Sequence, residues 1–455
     1  METRPPFRPQ MFLVALFALI LAACGGAPTA QPTTAPAAPT EAAAAQPTTA
    51  PAAPTEAPTA APVAGGTLKL WTQYDLADTS SEQSKLLKTR IDEFQAETGI
   101  TVQVEQVAWD KLATRLALAV QSGGDVPDVV EAGSQHIPAL LSAGALTPLD
   151  ALTASSPWVN DMTATDTLAC VREGARVCVP NLVRSSVTYY RVADWPAGFP
   201  STAEAFLTQA ERLKGEGKYV TSFFANKEYA SVELTWGQLI YGNGGRIFDE
   251  EGKPIWASPE TVEVLEFGRK LVQNGFIPEA TLTGDFAAAE TPWIDKSAAS
   301  FRGGTWSFIF IPGLSDEVAA GDVSFAGGLG FNGNPPKAFA NSETWIVPTG
   351  AANPEAAVRW IDGFMQPEFL AAWAKASFGL PTLKAAYEGG DFDNDFYRTV
   401  GELIATQGNF MEPSPYYQES LNALAIAIQE IMLNPSLDIA TRLQEAQDEI
   451  LQRYW

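Results

Sequence analysis

Aromatic rings and carboxyl groups dominate the chemistry available to this chain. Its 455 residues include 12 tryptophans, 11 tyrosines and 24 phenylalanines, together with 53 Asp and Glu residues. A flat ring can cover the C–H face of a sugar, whereas carboxylates and amides form paired hydrogen bonds to neighbouring hydroxyl groups. Such polar groups are costly to bury without a partner, so they give selectivity. The composition therefore suits recognition of a polyhydroxylated solute, with most individual tryptophans expected in the core.

Other kinds of chemistry have little support among the residue types. His136 is the sole histidine, which disfavours multi-histidine metal sites, and we interpret it as a surface or capping residue. The formal net charge of -24 opposes nucleic-acid binding, which needs a basic surface. The run Gly242–Gly245 lacks the Gly-Lys-Ser/Thr ending of a phosphate loop and is interpreted as a turn. We therefore predict no metal, no cofactor, no nucleic-acid partner and no catalytic residue.

Residues 1–23 are predicted to be an export signal, and the residues after them are predicted to form a tether. Arginines precede the apolar run Met11–Ala23, which is shorter than the ~20 apolar residues of a membrane-spanning helix. The run ends in Leu21–Cys24, which resembles the lipobox of bacterial lipoproteins and implies lipidation of Cys24. A plain signal peptide with an incidental cysteine is the alternative. Residues 24–65, rich in Ala, Pro and Thr, are predicted to form a disordered, extended tether.

Two further cysteines, Cys170 and Cys178, flank a segment centred on Gly174. Folded as a hairpin about this glycine, the segment brings the cysteines opposite each other. An exported chain lies in a compartment that permits disulfides. We predict a Cys170–Cys178 bridge, with two free thiols in a hairpin as the alternative.

Strand-like and helix-like spacings of apolar residues alternate along the remaining chain. This alternation implies an α/β fold with a mostly parallel sheet covered on both faces. Strands are predicted at Thr67–Thr72, Thr101–Gln106, Val126–Glu131 and Val187–Arg191. Helices are predicted before Gly99, between Trp109 and Gly123, at Ile137–Ser142, after a capping box at Ser201–Glu204, after Ser258 and Asn353, and at Gln418–Leu433 and Leu437–Tyr454.

Short motifs also recur in a familiar order. Phe94 precedes Thr98-Gly99-Ile100 and Val104, and Gly124 precedes Pro127-Asp128-Val129-Val130. The strings FRGGTWS and NPEAAVRWIDGF follow at Phe301 and Asn353. This order resembles that of the family 1 extracellular solute-binding proteins, the maltose-binding-protein-like sugar-binding lipoproteins of bacterial ABC importers. The resemblance covers nearly all of residues 67–430.

The resemblance implies a two-lobe periplasmic-binding-protein fold of type II, with hinge-linked α/β lobes. Lobe 1 would comprise residues 66–177 and 324–378. Lobe 2 would comprise residues 182–320 and 382–455. The first crossing between the lobes would lie near Pro180 and Asn181. Ligand would lie between the lobes, where such sheets present the ends of their strands.

Residue types and the resemblance together give a predicted ligand-binding set. Trp306 stands where the family places a sugar-stacking ring, residues 73–75 match a family ligand loop, and Gln135 matches another ligand position. The segment around Glu343 replaces a glycine-rich family segment near the cleft, and Tyr416 lies where a C-terminal helix approaches it. The full set is Trp306, Trp236, Gln73, Tyr74, Asp75, Gln135, Glu233, Glu343, Trp345 and Tyr416.

Capture by closure is the function that the resemblance implies. A small-molecule ligand, expected to be a mono- or oligosaccharide, would touch both lobes only in the closed form and so shift the population toward closure. The closed monomer would then meet the permease subunits of an ABC importer, outside the cytoplasm and held to the membrane only by its lipid anchor. No bond would be made or broken.

Three alternatives remain open from the sequence. Acidic residues and rings also suit a polyamine. Tyr189-Tyr190 suggests ferric iron, although adjacent strand residues normally send one ring to each face. A secreted glycoside hydrolase would need two acids at a fixed separation, and the sequence singles out no such pair.

Overall fold

The computed structural model describes residues 66–172 and 174–455. The signal peptide, the lipidated Cys24 and the tether predicted for residues 1–65 lie outside the described residues. Within the described part of the chain, no helix is both long and apolar enough to cross a membrane.

The strands include both short edge segments and one long strand that joins two regions of the sheet. Their bounds are β1 (Thr67–Thr72), β2 (Thr101–Gln106), β3 (Val129–Gly133), β4 (Val171–Arg172), β5 (Ala175–Arg176), β6 (Val179–Arg191), β7 (Ser222–Phe223), β8 (Ser300–Gly304), β9 (Val323–Ala326), β10 (Ala338–Ile346), β11 (Leu380–Pro381) and β12 (Gly408–Asn409).

Helices follow most of these strands, as expected for an α/β fold. Their bounds are α1 (Glu82–Thr98), α2 (Leu112–Ser122), α3 (Ile137–Ser142), α4 (Thr165–Cys170), α5 (Ala203–Gly215), α6 (Tyr229–Ser231), α7 (Gly237–Gly242), α8 (Pro259–Gln273), α9 (Phe286–Ile294), α10 (Ser307–Phe310), α11 (Leu314–Ala320), α12 (Pro354–Phe364), α13 (Pro367–Ala376), α14 (Asp395–Gln407), α15 (Tyr417–Leu433) and α16 (Ile439–Tyr454). A π-helical turn, Val232–Trp236, connects α6 to α7.

The predicted α/β, two-lobe fold class is confirmed. The main strand order is β2-β1-β3-β10-β6-β8-β7. Pairing is parallel at both ends, between β1 and its neighbours and between β7 and β8, whereas β6 and β10 are antiparallel in the centre. The lobe boundaries stay predictions, and the lobe names below refer to them.

Strand β6 links the two regions of the sheet. Residues 179–185 pair with β10, whereas residues 186–191 pair with β8 and β9. The prediction of a strand only at Val187–Arg191 was too short, because β6 begins at Val179. Pro180 is accommodated beside a register shift at Glu343/Thr344 of β10, and proline in a sheet is expected at such irregularities.

The two largest of the five hydrophobic clusters among the described residues lie on different sets of elements. One cluster packs α1, α12 and α13 against β1, with Phe94, Trp360 and Trp373 at its centre. Another packs α5, α8, α15 and α16 together, and includes Trp236 and Trp256. Each of these clusters buries the apolar faces of its own set of helices.

Some helix ends follow the predicted signals, whereas the start of α5 differs from its prediction. Helix α1 ends at Gly99, which has φ 71°, and α8 begins at Ser258 with proline in its first turn. The N-cap of α5 is Thr202, whose side chain accepts the Ala205 N–H, and not the predicted Ser201. The Ser201 carbonyl instead accepts the Gly330 N–H, which holds that residue in an extended segment outside the helix.

The cysteine hairpin forms as predicted. Strands β4 and β5 pair in antiparallel fashion, and Gly174 takes the positive φ of 82° that the turn requires. A disulfide joins Cys170 and Cys178, whose Cα atoms are 4.9 Å apart. The bridge therefore ties the end of α4 to the start of β6.

Candidate functional site

A cleft of about 370 Å³ lies between residues of the two predicted lobes. Its volume is in the range of small-molecule sites. Its walls combine aromatic rings, carboxyl groups, amides and one guanidinium. They are formed by Gln73, Trp109, Asp110, Gln135, Arg184, Glu228, Tyr229, Ala230, Glu233, Leu234, Phe286, Trp306, Phe310, Phe339, Asn341 and Glu343.

A buried ion pair in the cleft wall joins Arg184, which falls within predicted lobe 2, to Glu343, which falls within predicted lobe 1. Strands β6 and β10 are antiparallel neighbours, and Arg184 pairs opposite Asn341. The Arg184 Nη1 lies 2.8 Å from the Glu343 Oε1, and the Tyr74 hydroxyl donates to Glu343 Oε2 at 3.4 Å. Burial raises the pKa of Glu343, whereas the Arg184 charge and the Tyr74 hydrogen bond lower it in part.

A second buried carboxyl group, Glu131, lies beside this pair. It is opposite Trp345 on the neighbouring strand and accepts a hydrogen bond from the Thr72 hydroxyl. Burial, and then the charge of Glu343, raise the pKa of Glu131 to about 8. Burial and the neighbouring carboxyl group therefore both disfavour a second negative charge beside the Arg184–Glu343 pair.

Glu233 lies on the lobe 2 side, on the π-helical turn. It is 4% exposed, and its Oε1 has no hydrogen-bond partner in the described part of the protein. Burial raises the pKa of Glu233 to about 8, against a smaller lowering by a hydrogen bond with Tyr417. Single π turns occur frequently at functional sites because the extra residue redirects neighbouring side chains.

Aromatic rings line the cleft from both sides. Trp306 lies two residues after the end of β8, and its ring folds over Gly304, where a Cβ would lie 2.3 Å from ring atoms. A glycine at position 304 is therefore needed for the Trp306 ring to take this position. On the other side, the Trp109 ring lies 4.9 Å from the His136 ring. Rings on opposite sides can cover the apolar faces of a flat ligand.

His136 has a capping role, as predicted. Its Nδ1 accepts the Gly133 N–H at 3.1 Å. The imidazole is buried, and this burial lowers its pKa to about 4. The ring therefore stays neutral and packs against Trp109, and it lines a neighbouring cavity instead of this cleft.

The structure brings half of the predicted ligand set into one cleft. Gln73, Gln135, Glu233, Glu343 and Trp306 all line it. Gln135 accepts from the Asn341 amide at 3.0 Å and also lines two neighbouring cavities. Tyr74 lies behind the lining, where it bonds to Glu343 and packs edge-on against Trp373.

Four members of the predicted set do not line this cleft. Trp236, on the π-helical turn, is 1% exposed and packs into one core. Trp345, on β10, is 0% exposed and packs into the other. The exposed Asp75 carboxylate accepts the Ala77 N–H and shapes the loop instead. Tyr416 stacks on Tyr454, with ring centroids 4.6 Å apart, and lines a neighbouring cavity.

Several lining residues were not identified from the sequence. Arg184 lies in a strand segment that the sequence did not assign, and Trp109 was interpreted as part of an apolar helix face. It instead begins a 3-10 turn before α2 and is half-buried. Tyr229 carried no signal of its own. A predicted strand that began at Val179 would have placed Arg184 on one face of the sheet. The alternation of residues in β6 is the only sequence signal that could have done so.

A two-lobe α/β fold with a ring-lined, polar cleft between the lobes defines a solute-binding protein of the periplasmic type. The chain belongs to the family described as bacterial extracellular solute-binding protein, whose model matches residues 89–397. Membership of an extracellular family implies a location outside the cytoplasm. No curated protein shows a sequence match to this chain.

Solved structures share the fold at low sequence identity. The maltose-bound MalE3 of T. maritima has a TM-score of 0.72 and 17% identity, covering 85% of this chain and 99% of its own. The acarbose-binding GacH receptor of Streptomyces glaucescens has a TM-score of 0.72 and 14% identity over 85% and 98%. A Thermotoga lettingae ABC transporter solute-binding protein bound to alpha-D-tagatose has a TM-score of 0.71 and 19% identity over 85% and 99%.

Proposed function

We propose that this protein is the extracytoplasmic receptor of an ABC importer and that it captures a mono- or oligosaccharide in the cleft. The observation that carries the proposal is the joint lining of one cleft by Trp306 and by the buried polar groups Glu343, Arg184 and Glu233. A ring provides apolar contact with a sugar face. Buried polar groups reject ligands that leave them unpaired.

The proposed site residues differ in what they contribute. Trp306 and Trp109 would stack on the ligand, and Gln73 and Gln135 would bond its hydroxyl groups. The Arg184–Glu343 pair would hold two adjacent hydroxyls, because one group donates and the other accepts. Three of the structural relatives are described with maltose, acarbose or alpha-D-tagatose, which supports a carbohydrate class.

Transport would follow from closure. Residues 66–177 and 324–378 would move against 182–320 and 382–455 about strand β6, and ligand would favour the closed form by contacting both. The closed monomer would deliver its ligand to permease subunits. Lipidation at Cys24 and the tether of residues 24–65 would keep it beside the membrane, in a periplasm or on an outer face.

The alternatives have weaker support. The Tyr189 hydroxyl donates to the Gly304 carbonyl at 2.8 Å inside a core, and Tyr190 packs on Phe199, so this pair does not converge as iron ligands would. We propose a binder and not a glycoside hydrolase, since the family is one of solute-binding proteins. Release of product from chromogenic glycosides would contradict this.

Isothermal titration with a panel of mono- and oligosaccharides tests the proposal. At least one saccharide should bind, and small-angle scattering should show a smaller radius of gyration in its presence. Spermidine and ferric citrate are the comparison ligands. Binding of either one, without binding of any saccharide, would contradict the carbohydrate assignment.

A further inference from the structure

Two cleft-lining side chains leave buried polar atoms without a hydrogen-bond partner among the described residues, Arg184 at Nε and Nη2 and Glu233 at Oε1. The carboxyl group of Glu233 is buried, lines the cleft and leaves Oε1 without a hydrogen bond among the described residues. A buried polar atom without a partner costs free energy that folding must supply. Such an atom in a binding cleft is expected to be satisfied by the ligand.

The groups that face Glu233 include no cation that pairs with it. Tyr417 of α15 provides a hydrogen bond, and Tyr229 lies beside it on α6. Arg302 of β8 packs against the same π-helical turn but donates to the Leu234 carbonyl at 2.7 Å and to Thr188 and Ser186. Arg184 across the cleft is paired with Glu343. Glu233 is therefore available to a positive charge.

The surroundings of Tyr229 add further negative charge. Burial raises the pKa of the Tyr229 hydroxyl, and the charges of Glu233, Asp110 and Glu228 raise it further. All three carboxyl groups line the cleft. Lys111 offsets part of this charge, because its Nζ lies 2.7 Å from Asp110. A ring surrounded by carboxyl groups is a setting that stabilises a ligand cation.

Resting on the proposed carbohydrate function, we infer that the ligand is an amino sugar, whose ammonium group binds Glu233 beside the Tyr229 ring. The neutral parts of the sugar would occupy the Trp306 and Arg184–Glu343 side of the cleft. This assigns a substrate class narrower than carbohydrates in general.

The inference also requires a proton to move. Without ligand, burial keeps the Glu233 carboxyl group protonated at neutral pH, with a pKa of about 8. An ammonium group favours the carboxylate, so binding releases the carboxyl proton to solvent while the amine keeps its own. A neutral sugar does not drive this release.

Matched ligands test the inference. Titration calorimetry of the purified full chain compares D-glucosamine with N-acetyl-D-glucosamine, and the fully deacetylated chito-disaccharide with its acetylated form. We expect the amino member of one pair to bind about tenfold tighter or more, the effect of one charge-assisted contact. Repeating the titration at about pH 6.5 in buffers of different ionisation enthalpy should show release of about one proton.

Two variants separate Glu233 from the general acidity of the protein. Glu233→Gln should bind both members of each pair equally and release no proton. Glu211→Gln removes an exposed carboxylate of helix α5, outside the cleft lining, and should keep both the preference and the proton release. If Glu233→Gln fails to fold, the unmodified protein still tests the inference. Binding of an amino sugar should release a proton, whereas binding of a neutral saccharide should not.

The outcomes distinguish this inference from the proposed function. Binding of neutral saccharides with no preference for the amino forms, or a preference that survives in Glu233→Gln, would overturn the inference and leave the carbohydrate receptor intact. Binding of no saccharide at all would overturn both.

Discussion

Arg184 and Glu343 form a buried ion pair, 2.8 Å from Nη1 to Oε1, across antiparallel strands at the wall of the cleft. Removing one member of such a pair leaves an uncompensated buried charge. We expect Arg184→Met to lower the free energy of unfolding by about 3–5 kcal/mol, measured by urea denaturation. The double variant Arg184→Met/Glu343→Leu should recover most of this loss. Equal losses in both variants would contradict a compensating pair.

Trp306 is expected to contribute to ligand binding more than to folding. It is half-buried and lines the cleft. Trp306→Ala should weaken binding of the best saccharide by about tenfold to a hundredfold, as for an aromatic contact at the centre of a site. Its free energy of unfolding should change by less than about 1 kcal/mol. Unchanged affinity by titration calorimetry would remove Trp306 from the site.

Trp236 should behave in the opposite way. It is 1% exposed and packs edge-on against Phe223, with ring centroids 5.7 Å apart. Trp236→Ala should therefore lower the free energy of unfolding by about 3–5 kcal/mol, as for other buried aromatic truncations. The affinity of the folded fraction should stay close to that of the unmodified protein. A large loss of affinity at unchanged stability would restore Trp236 as a ligand residue.

The Glu233 carboxyl group should make stability depend on pH. Burial raises its pKa from 4.5 to about 8, so the folded state keeps a proton that the unfolded chain loses. The contribution of Glu233 to the free energy of unfolding therefore falls as pH rises from 4.5 to about 8. Above about pH 8 this contribution is constant.

Glu233→Gln removes this dependence. The variant's free energy of unfolding should exceed that of the unmodified protein by a small amount near pH 4.5. This difference should grow by at most about 1.4 kcal/mol per pH unit up to about pH 8, as measured by urea denaturation. Glu228→Gln, which changes an exposed carboxylate, is the control. An advantage that does not vary with pH would mean that Glu233 is ionised in the folded protein.

The sole histidine gives a direct test of burial near the cleft. Burial lowers the pKa of His136 from 6.5 to about 4, so the folded protein keeps the imidazole neutral while the unfolded chain protonates. Stability from this group is present above pH 6.5 and is lost as pH falls toward 4. In a tag-free sample, the imidazole NMR signals should not titrate until about pH 4. An inflection near pH 6.5 would contradict the burial.

The sequence was sufficient for elements whose signals are local. Strand β1 at Thr67–Thr72 and strand β2 at Thr101–Gln106 have the predicted bounds, and helix α3 begins at the predicted Ile137. The Cys170–Cys178 hairpin followed from Gly174 and from the export signal. Each of these depends on residues a few positions apart, where periodicity and turn chemistry decide the outcome.

The cleft could be predicted only in part because its contacts are not local. Glu343 meets Arg184 through the pairing of β10 with β6, and no local pattern reveals that pairing. Trp236 and Trp306 each follow a polar residue in sequence, yet one enters a core and the other a cleft. That difference arises from how the π-helical turn and strand β8 face the rest of the fold.

A crystal structure of the purified protein with the tightest-binding saccharide of the panel tests the central claim most directly. We expect density for the saccharide between the Trp306 ring and the Arg184–Glu343 pair, with both lobes in contact. A saccharide bound outside this cleft, or a cleft left empty at saturating saccharide, would contradict the account.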